Sequence, residues 1–235
     1  MVSKIAQANY QSQLDSQNHV ALKQVWHTIE ANSCPTLYNF HMHTINSDGQ
    51  LLPEELAQQA VNLGLKGFAI TDHHSVSGYY AAQAWLEARD RETHPNSLPN
   101  LWTGVEITSS LLDTDVHILG YTFDPQHPVM QIYLQGESPW GEDAEAVNVI
   151  NAIHQAGGLA VLAHPARYKR SLEELIPAAA KFGIDGVEAY YSYRNTFPWQ
   201  SSPIETQKVK DLSEKYDLFN TCGTDTHGLD IRKRI

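Results

Sequence analysis

Cysteine is scarce. The 235 residues contain two, Cys34 and Cys222, which form no Cys-x-x-Cys pair and stand far apart in the chain, so free thiols in a reducing, cytoplasmic compartment are expected and a disulfide is the weaker reading. No apolar run approaches the length needed to span a bilayer, and the first residues lack a basic segment followed by an apolar stretch, so neither a membrane span nor an export signal is expected. Positive charge is also short: 16 Lys and Arg face 27 Asp and Glu, a formal net charge of −11. That balance argues against a broad basic surface for tracking nucleic acid, whose binding is dominated by cationic contacts to phosphates. A small anionic substrate drawn in by bound cations remains compatible. Internal repeats, low-complexity tracts and a clear linker are missing, and the length suits a single α/β domain.

Residues 1–33 are polar and rich in Gln and Asn. Their amphipathic stretch from Val20 to Ile29 fits a helical period loosely, which predicts a helical N-terminal appendage to a domain over residues 34–235. From Tyr38 onward short apolar segments alternate with helical ones, the pattern of βα units and a largely parallel sheet. The expected strands are Tyr38–Phe40, Gly67–Ile70, Leu101–Ile107, Ile118–Tyr121, Leu159–Ala163, Gly186–Val187 and Leu218–Thr221. Pro53 suits the first turn of a helix running to Leu63 and closed by Gly64. Ser171 and Glu174 form a capping box opening another helix ended by Gly183, with a kink or early break predicted at Pro177. Residues Arg91–Asn100 read as a loop. This order fits an α/β fold, a distorted TIM-like (β/α)7 barrel.

Histidine is the unusual component: there are 12, clustered with acidic residues. In barrel-like folds the site is built on loops at the carboxyl ends of the strands. Reading just past each expected strand gives His41-Met42-His43 and then Asp48; Asp72-His73-His74; Glu106 near the end of Leu101–Ile107; His164-Pro165; and Asp225-Thr226-His227. In an extended segment residues two apart point the same way, so His41 and His43 can reach one ion. His117 is the exception, because it opens its strand. A lone histidine at any of these positions would more often be structural. Collecting so many ionisable groups at one sheet edge, however, is costly unless cations compensate them.

With these segments in hand, the chain resembles the PHP family, named for polymerase and histidinol phosphatase. The matching motifs are His41-x-His43, Ser47-Asp48-Gly49, Thr71-Asp72-His73, Gly104-Val105-Glu106, His117-Ile118-Leu119-Gly120-Tyr121, Ala163-His164-Pro165 and Asp225-x-His227. They are most similar to the branch of small phosphoesterases acting on nucleotides and short RNA. The resemblance implies two to three divalent ions, with His41, His43, Glu106 and Asp225 on the first. A bridging Glu106 with His117 and His164 would hold the second, and Asp48, His73 and His227 the third. Zinc, manganese and iron all accept such a donor mixture. It further implies hydrolysis of phosphate esters by a metal-activated hydroxide.

Arg167, on the same loop as His164, could grip a phosphoryl oxygen, the plainer alternative being a surface arginine. Lys169, Arg170 and Arg194 are further candidates for substrate contact, each also readable as solvated surface. His74 could contact substrate or donate a proton, with an outward-facing neighbour of His73 as the plainer expectation. Asp72 could orient a ligand imidazole, and Glu188 is expected behind a ligand or in the pocket wall. Tyr190, Tyr191 and Tyr193 offer either a stacking surface or packing beneath a loop. His19, His27, His94, His127 and His154 read as structural or exposed.

The leading functional expectation is a phosphatase on a small nucleotide-like substrate. The alternatives are a 5′-3′ exonuclease on short RNA or DNA, a histidinol-phosphate phosphatase and, outside catalysis, a metal-binding module. Nucleotide-acting members of the resembled family carry a helical insertion over the site. Residues 122–158 leave room for little more than a loop and one helix, which predicts a more open pocket.

Overall fold

The computed structural model describes residues 16–90 and 98–235. Residues 1–15 of the expected appendage, most of the loop at 91–100 and His94 lie outside them. Two sheets organise the described residues. In the first, β1 (Tyr38–Asn39), β2 (Gly67–Ala69) and β3 (Asn100–Trp102) run parallel in that order; in the second, β4 (Gly104–Leu111), β5 (Thr114–Tyr121), β6 (Leu159–Leu162), β7 (Gly186–Tyr190) and β8 (Phe219–Cys222) follow in chain order. Helices α1 (His19–Trp26), α2 (Pro53–Leu63), α3 (Ser77–Asp90), α4 (Ala146–Gln155), α5 (Leu172–Lys181) and α6 (Pro203–Lys215) flank them. None is long and apolar enough to cross a membrane.

Local chemistry accounts for most of these boundaries. Pro53 opens α2, where its missing N–H costs nothing, and Gly64 closes it at φ +71°, a conformation that glycine adopts without a Cβ penalty. The Ser171–Glu174 capping box opens α5, which runs through Pro177 to Lys181 without the expected break. Its apolar face, Leu172, Leu175, Ile176 and Ala179, is buried, and that burial outweighs the hydrogen bond lost at the proline.

The expected single strand Leu101–Ile107 is two strands. At Thr103 the backbone N–H donates to the Ser16 carbonyl and the carbonyl accepts from Thr122, so this residue leaves the ladder and the chain changes sheets. The largely parallel expectation also needs correction, because β5 is antiparallel to both β4 and β6. The two residues joining β4 to β5, Leu112 and Asp113, sit at φ +52° and +55°, and such a tight turn can only connect antiparallel strands. Accordingly His117 does not open its strand but lies inside β5, opposite Thr108.

Hydrogen bonds bring the edges of the two sheets together. Phe40 N–H donates to the Cys222 carbonyl, Asp225 N–H to that of His41 and His43 N–H to that of Thr226; on the other side Glu106 N–H donates to the Asp72 carbonyl and His74 N–H to that of Glu106. Beneath this seam, Leu22, Trp26 and Ile29 join the main apolar core. Trp26 meets Phe40, Tyr121 and Phe219 edge-on or tilted, with ring centroids 5.4–6.3 Å apart. Val20, on the other face of α1, is 56% exposed.

The expectation of free thiols is overturned, since Cys34 and Cys222 form a disulfide. They are 188 residues apart in sequence, but Cys34 precedes β1 and Cys222 ends β8, and these segments meet at the sheet seam. Sequence separation carried no information about that adjacency.

Candidate metal centre

The seam delivers the ionisable residues to one place. His41 and His43 follow β1, His73 follows β2, Glu106 lies in β4, His117 in β5, His164 follows β6, and Asp225 and His227 follow β8. Because β5 runs against its neighbours, a residue in its first half reaches the edge that the parallel strands reach at their ends. That resolves the apparent exception of His117.

Glu106 is the hub. One of its oxygens, Oε2, lies 3.0 Å from Nε2 of both His41 and His43 and 3.6 Å from Nε2 of His73. The other, Oε1, lies 2.8 Å from His117 Nδ1 and 3.3 Å from His164 Nε2. Asp225 Oδ1 approaches the same His41 and His43 nitrogens at 3.4 and 3.3 Å. Asp48 Oδ2 stands 3.1 Å from His227 Nε2 and 3.8 Å from His73 Nε2. All nine residues expected as ligands therefore lie in one connected cluster. Among the described residues, three groups have donor atoms close enough to share an ion: His41, His43, Glu106 and Asp225; His43, Asp48, His73 and His227; and His73, Glu106 and His117. The first matches the expected set, the second adds His43 to an expected set, and the third has His73 where His164 was expected.

The ring orientations are fixed from behind. His41 Nδ1–H donates to Glu188 Oε1 at 3.0 Å, and His227 Nδ1–H to the Asp225 carbonyl at 2.7 Å, so each ring turns its Nε2 inward. Glu188 Oε2 also accepts the His164 N–H at 2.9 Å, which places Glu188 where the sequence suggested, behind the cluster. Asp72 differs from expectation. No hydrogen bond among the described residues ties its carboxylate to a ligand imidazole; it accepts from Thr44 N–H, Thr44 Oγ1 and Ser47 Oγ at 2.6–2.8 Å, which fixes the turn that carries Asp48.

The charges inside this cluster oppose one another. Burial alone would raise Glu106, yet the neighbouring His41 and His117 and hydrogen bonds from His117 and His164 hold its carboxyl well below the usual range. Asp225 is likewise depressed, against burial, by His41 and His43. Burial opposes a charge on His43, but the close carboxylates of Asp225 and Glu106 push it up to about 9, and His41 is raised in the same sense. Burial pushes His73 down to about 4 despite Glu106. Protons on some imidazoles thus stand in for the positive charge that the carboxylates require. His43 Nε2 is fully buried and faces two carboxylate oxygens, yet among the described residues it makes no hydrogen bond of acceptable geometry. A buried imidazole nitrogen that faces two carboxylates without a hydrogen bond, in a mixed imidazole and carboxylate set, fits a divalent cation.

Around the cluster, Asp225 Oδ2 accepts from Tyr191 OH at 2.6 Å, Arg234 Nε at 2.8 Å and Arg167 Nη1 at 3.0 Å. Arg167 is therefore at the site. Tyr191 serves as a donor to Asp225, not a stacking face, and Tyr193 OH accepts from Ala166 N–H. Arg234 was not foreseen, because it stands outside any motif. Lys169 and Arg194 are exposed, and no hydrogen bond or ion pair among the described residues ties them to the cluster. Arg170 instead bonds Thr114 and Glu174. His74 is buried, not outward-facing, with Nε2 3.2 Å from both Thr108 Oγ1 and Ser138 Oγ. His154 pairs with Asp185 at 2.7 Å, as a structural histidine would.

Over residues 39–156 the chain matches the family model described as PHP domain. A curated relative, a 5′-3′ exoribonuclease of Haemophilus influenzae, is 32% identical over 81% of this chain and 89% of its own length. A 3′,5′-nucleoside bisphosphate phosphatase of Chromobacterium violaceum is 33% identical over a shorter stretch, 39% of this chain and 30% of its own. Among solved structures, an amidohydrolase from Chromobacterium violaceum with bound sulfate superposes with a TM-score of 0.66 at 21% identity, covering 81% of this chain and 87% of that one, so the mixed α/β fold is shared. The chain belongs to the PHP family of metal-dependent phosphoesterases.

Proposed function

We propose that this chain hydrolyses phosphate esters of nucleotides, with the 5′ end of short RNA as the favoured substrate and a nucleoside bisphosphate as the second reading. The observation that carries the hydrolase reading is the gathering of nine His, Asp and Glu residues in one cluster centred on Glu106, with His43 Nε2 buried and without a hydrogen bond among the described residues. The preference for RNA rests on the exoribonuclease relative, whose similarity spans both chains, whereas that to the bisphosphate phosphatase covers 39% of this one. The sequence alone put the small nucleotide first because of the net charge of −11; a short RNA end needs only the local charge of the site.

His41, His43, Glu106 and Asp225 would hold one ion, Asp48, His73 and His227 a second, and Glu106 and His117 with His164 a third. When bound, such ions would supply acidified water and a Lewis-acid charge for the phosphoryl oxygens. The protein's own part is positional. Glu188 and the Asp225 carbonyl hold the rings, Asp72 holds the Asp48 turn, and Arg167 stands where it can orient a phosphoryl group.

The hydrogen bonds at the two sheet edges support reading the fold as a distorted TIM-like barrel, and the burial of Leu22, Trp26 and Ile29 supports an N-terminal appendage docked firmly on the domain of residues 34–235.

The test is elemental analysis of the purified protein together with hydrolysis of a 5′-phosphorylated short RNA and a nucleoside 3′,5′-bisphosphate, for the wild type and His43→Ala. Two to three ions per chain and activity lost in the variant are expected. Less than one ion after reconstitution, or activity indifferent to His43, would overturn the reading. Faster turnover of the bisphosphate than of RNA would favour the second substrate.

A further inference from the structure

Two guanidinium groups share one carboxylate oxygen at the edge of the cluster. Arg167 Nη1 and Arg234 Nε lie 3.0 and 2.8 Å from Asp225 Oδ2, which also accepts from Tyr191 OH at 2.6 Å. One negative charge is set against two positive ones, while Asp225 Oδ1 faces His41 and His43. Each guanidinium carries five N–H donors, far more than these contacts use. The side chains of Arg167 and Arg234 are 40% and 20% exposed, so solvent reaches both.

Arg234 is also held in place. Its carbonyl accepts from His227 N–H and Gly228 N–H, and the preceding Lys233 carbonyl accepts from Thr226 Oγ1. Ile231 is fully buried, with its carbonyl accepting from Asn39, Thr224 and Thr226 and its N–H donating to Gln59. Residues 228–235 therefore form a hook that returns to the cluster and fixes a charged side chain at its rim before any ligand arrives. Fixed donors lose little entropy on binding an anion.

We propose that Arg234 is a substrate-binding residue that, with Arg167, forms a two-guanidinium clamp for a phosphoryl group of the substrate. The inference rests on the phosphoesterase reading. Asp225 keeps Nε of Arg234, and the remaining N–H groups take phosphoryl oxygens, the paired geometry in which arginine recognises phosphate. The clamp also explains how a strongly acidic chain binds an anion, since its positive charge is concentrated at one point.

The test compares wild type, Arg234→Ala and Arg234→Gln in the metal-reconstituted protein, by elemental analysis, steady-state kinetics on the 5′-phosphorylated RNA and calorimetric titration with inorganic phosphate. The glutamine keeps an amide donor for Asp225 while removing the charge, and it carries the test if the alanine variant fails to fold. For both variants the expected result is unchanged metal content, KM and phosphate dissociation constant raised roughly ten- to a hundredfold, and a smaller change in kcat. Lost metal with phosphate affinity retained would make Arg234 a support for Asp225 only and overturn the clamp, as would variants that match the wild type. If the wild type hydrolyses no phosphate ester, the functional reading fails, and phosphate titration still decides the clamp separately.

Discussion

Glu188 Oε1 lies 3.0 Å from His41 Nδ1 while Glu188 Oε2 accepts the His164 backbone N–H at 2.9 Å, so one fully buried carboxylate sets both a ring and a strand end of the cluster. The first contact orients His41 Nε2 toward Glu106, and the second holds His164 at its left-handed φ of +28°, a conformation that persists only when its surroundings enforce it. Glu188→Ala releases both. Supports of this kind are worth about ten- to a hundredfold in metal affinity, and a competitive chelator titration should read a loss in that range. Affinity equal to that of the wild type would show that the rings are oriented by the ions alone.

Metal binding should release protons and strengthen as pH rises. In the metal-free protein His43 is pushed up to about 9 and His41 is raised well above its ordinary value, so both carry protons at neutral pH that an ion must displace. His73, pushed down to about 4, is already neutral there and releases none. Each displaced proton makes affinity rise about tenfold per pH unit below the relevant pKa. The contribution of His43 to the stability of the metal-free protein runs the other way: it is fully present below about 6.5 and fades as pH climbs through about 9. Calorimetry at pH 7 in buffers of different ionisation enthalpy measures the release directly. A proton count of zero would contradict the assigned charges.

The residues of the cluster were legible in the sequence because their chemistry is local: each sits on or just beyond a short apolar segment, and His41-x-His43 shares a face by strand period alone. Glu188 could be placed for the same reason. What escaped were relationships set by how the strands are assembled. The direction of β5, and with it the true setting of His117, depends on a two-residue turn at Leu112 and Asp113, which lacks the glycine that marks such turns and offers only Asp113 as a residue at ease with φ above zero. The Cys34–Cys222 bridge depends on β1 lying beside β8. Arg234 reaches Asp225 through a hook whose anchor, Ile231, looks in sequence like one more apolar residue in a charged segment.

The disulfide should stabilise the fold strongly. It closes a loop spanning 188 residues of sequence, and loop-closure entropy for lengths above 100 residues corresponds to about 5 kcal/mol in the chain-entropy model. Both sulfurs are buried, so mild reductant alone should act slowly. Cys34→Ser/Cys222→Ser is expected to lower the urea midpoint by an amount equivalent to about 2–5 kcal/mol, with the slope m increased because the unfolded chain expands. A midpoint matching the oxidised wild type would mean that the bridge adds nothing to stability.

Gly223 tests whether packing at the seam governs the site. A Cβ added there would collide with His41 Cβ and come within 2.8 Å of the His41 backbone nitrogen and Glu188 Oε1. The backbone cannot yield cheaply, because Phe40 and Asp225 on either side are hydrogen-bonded across the same seam. Gly223→Ala should therefore cost about 1–3 kcal/mol of stability through overpacking and, by pushing His41 away from Glu106, weaken metal binding as well. Gly157→Ala separates the two effects. Gly157 has φ +79° and nothing within 4 Å of an added Cβ, so it should lose about 1 kcal/mol from backbone strain while metal affinity stays unchanged. If the two variants lose stability alike and both bind metal normally, close contact at Gly223 is not what sets the position of His41.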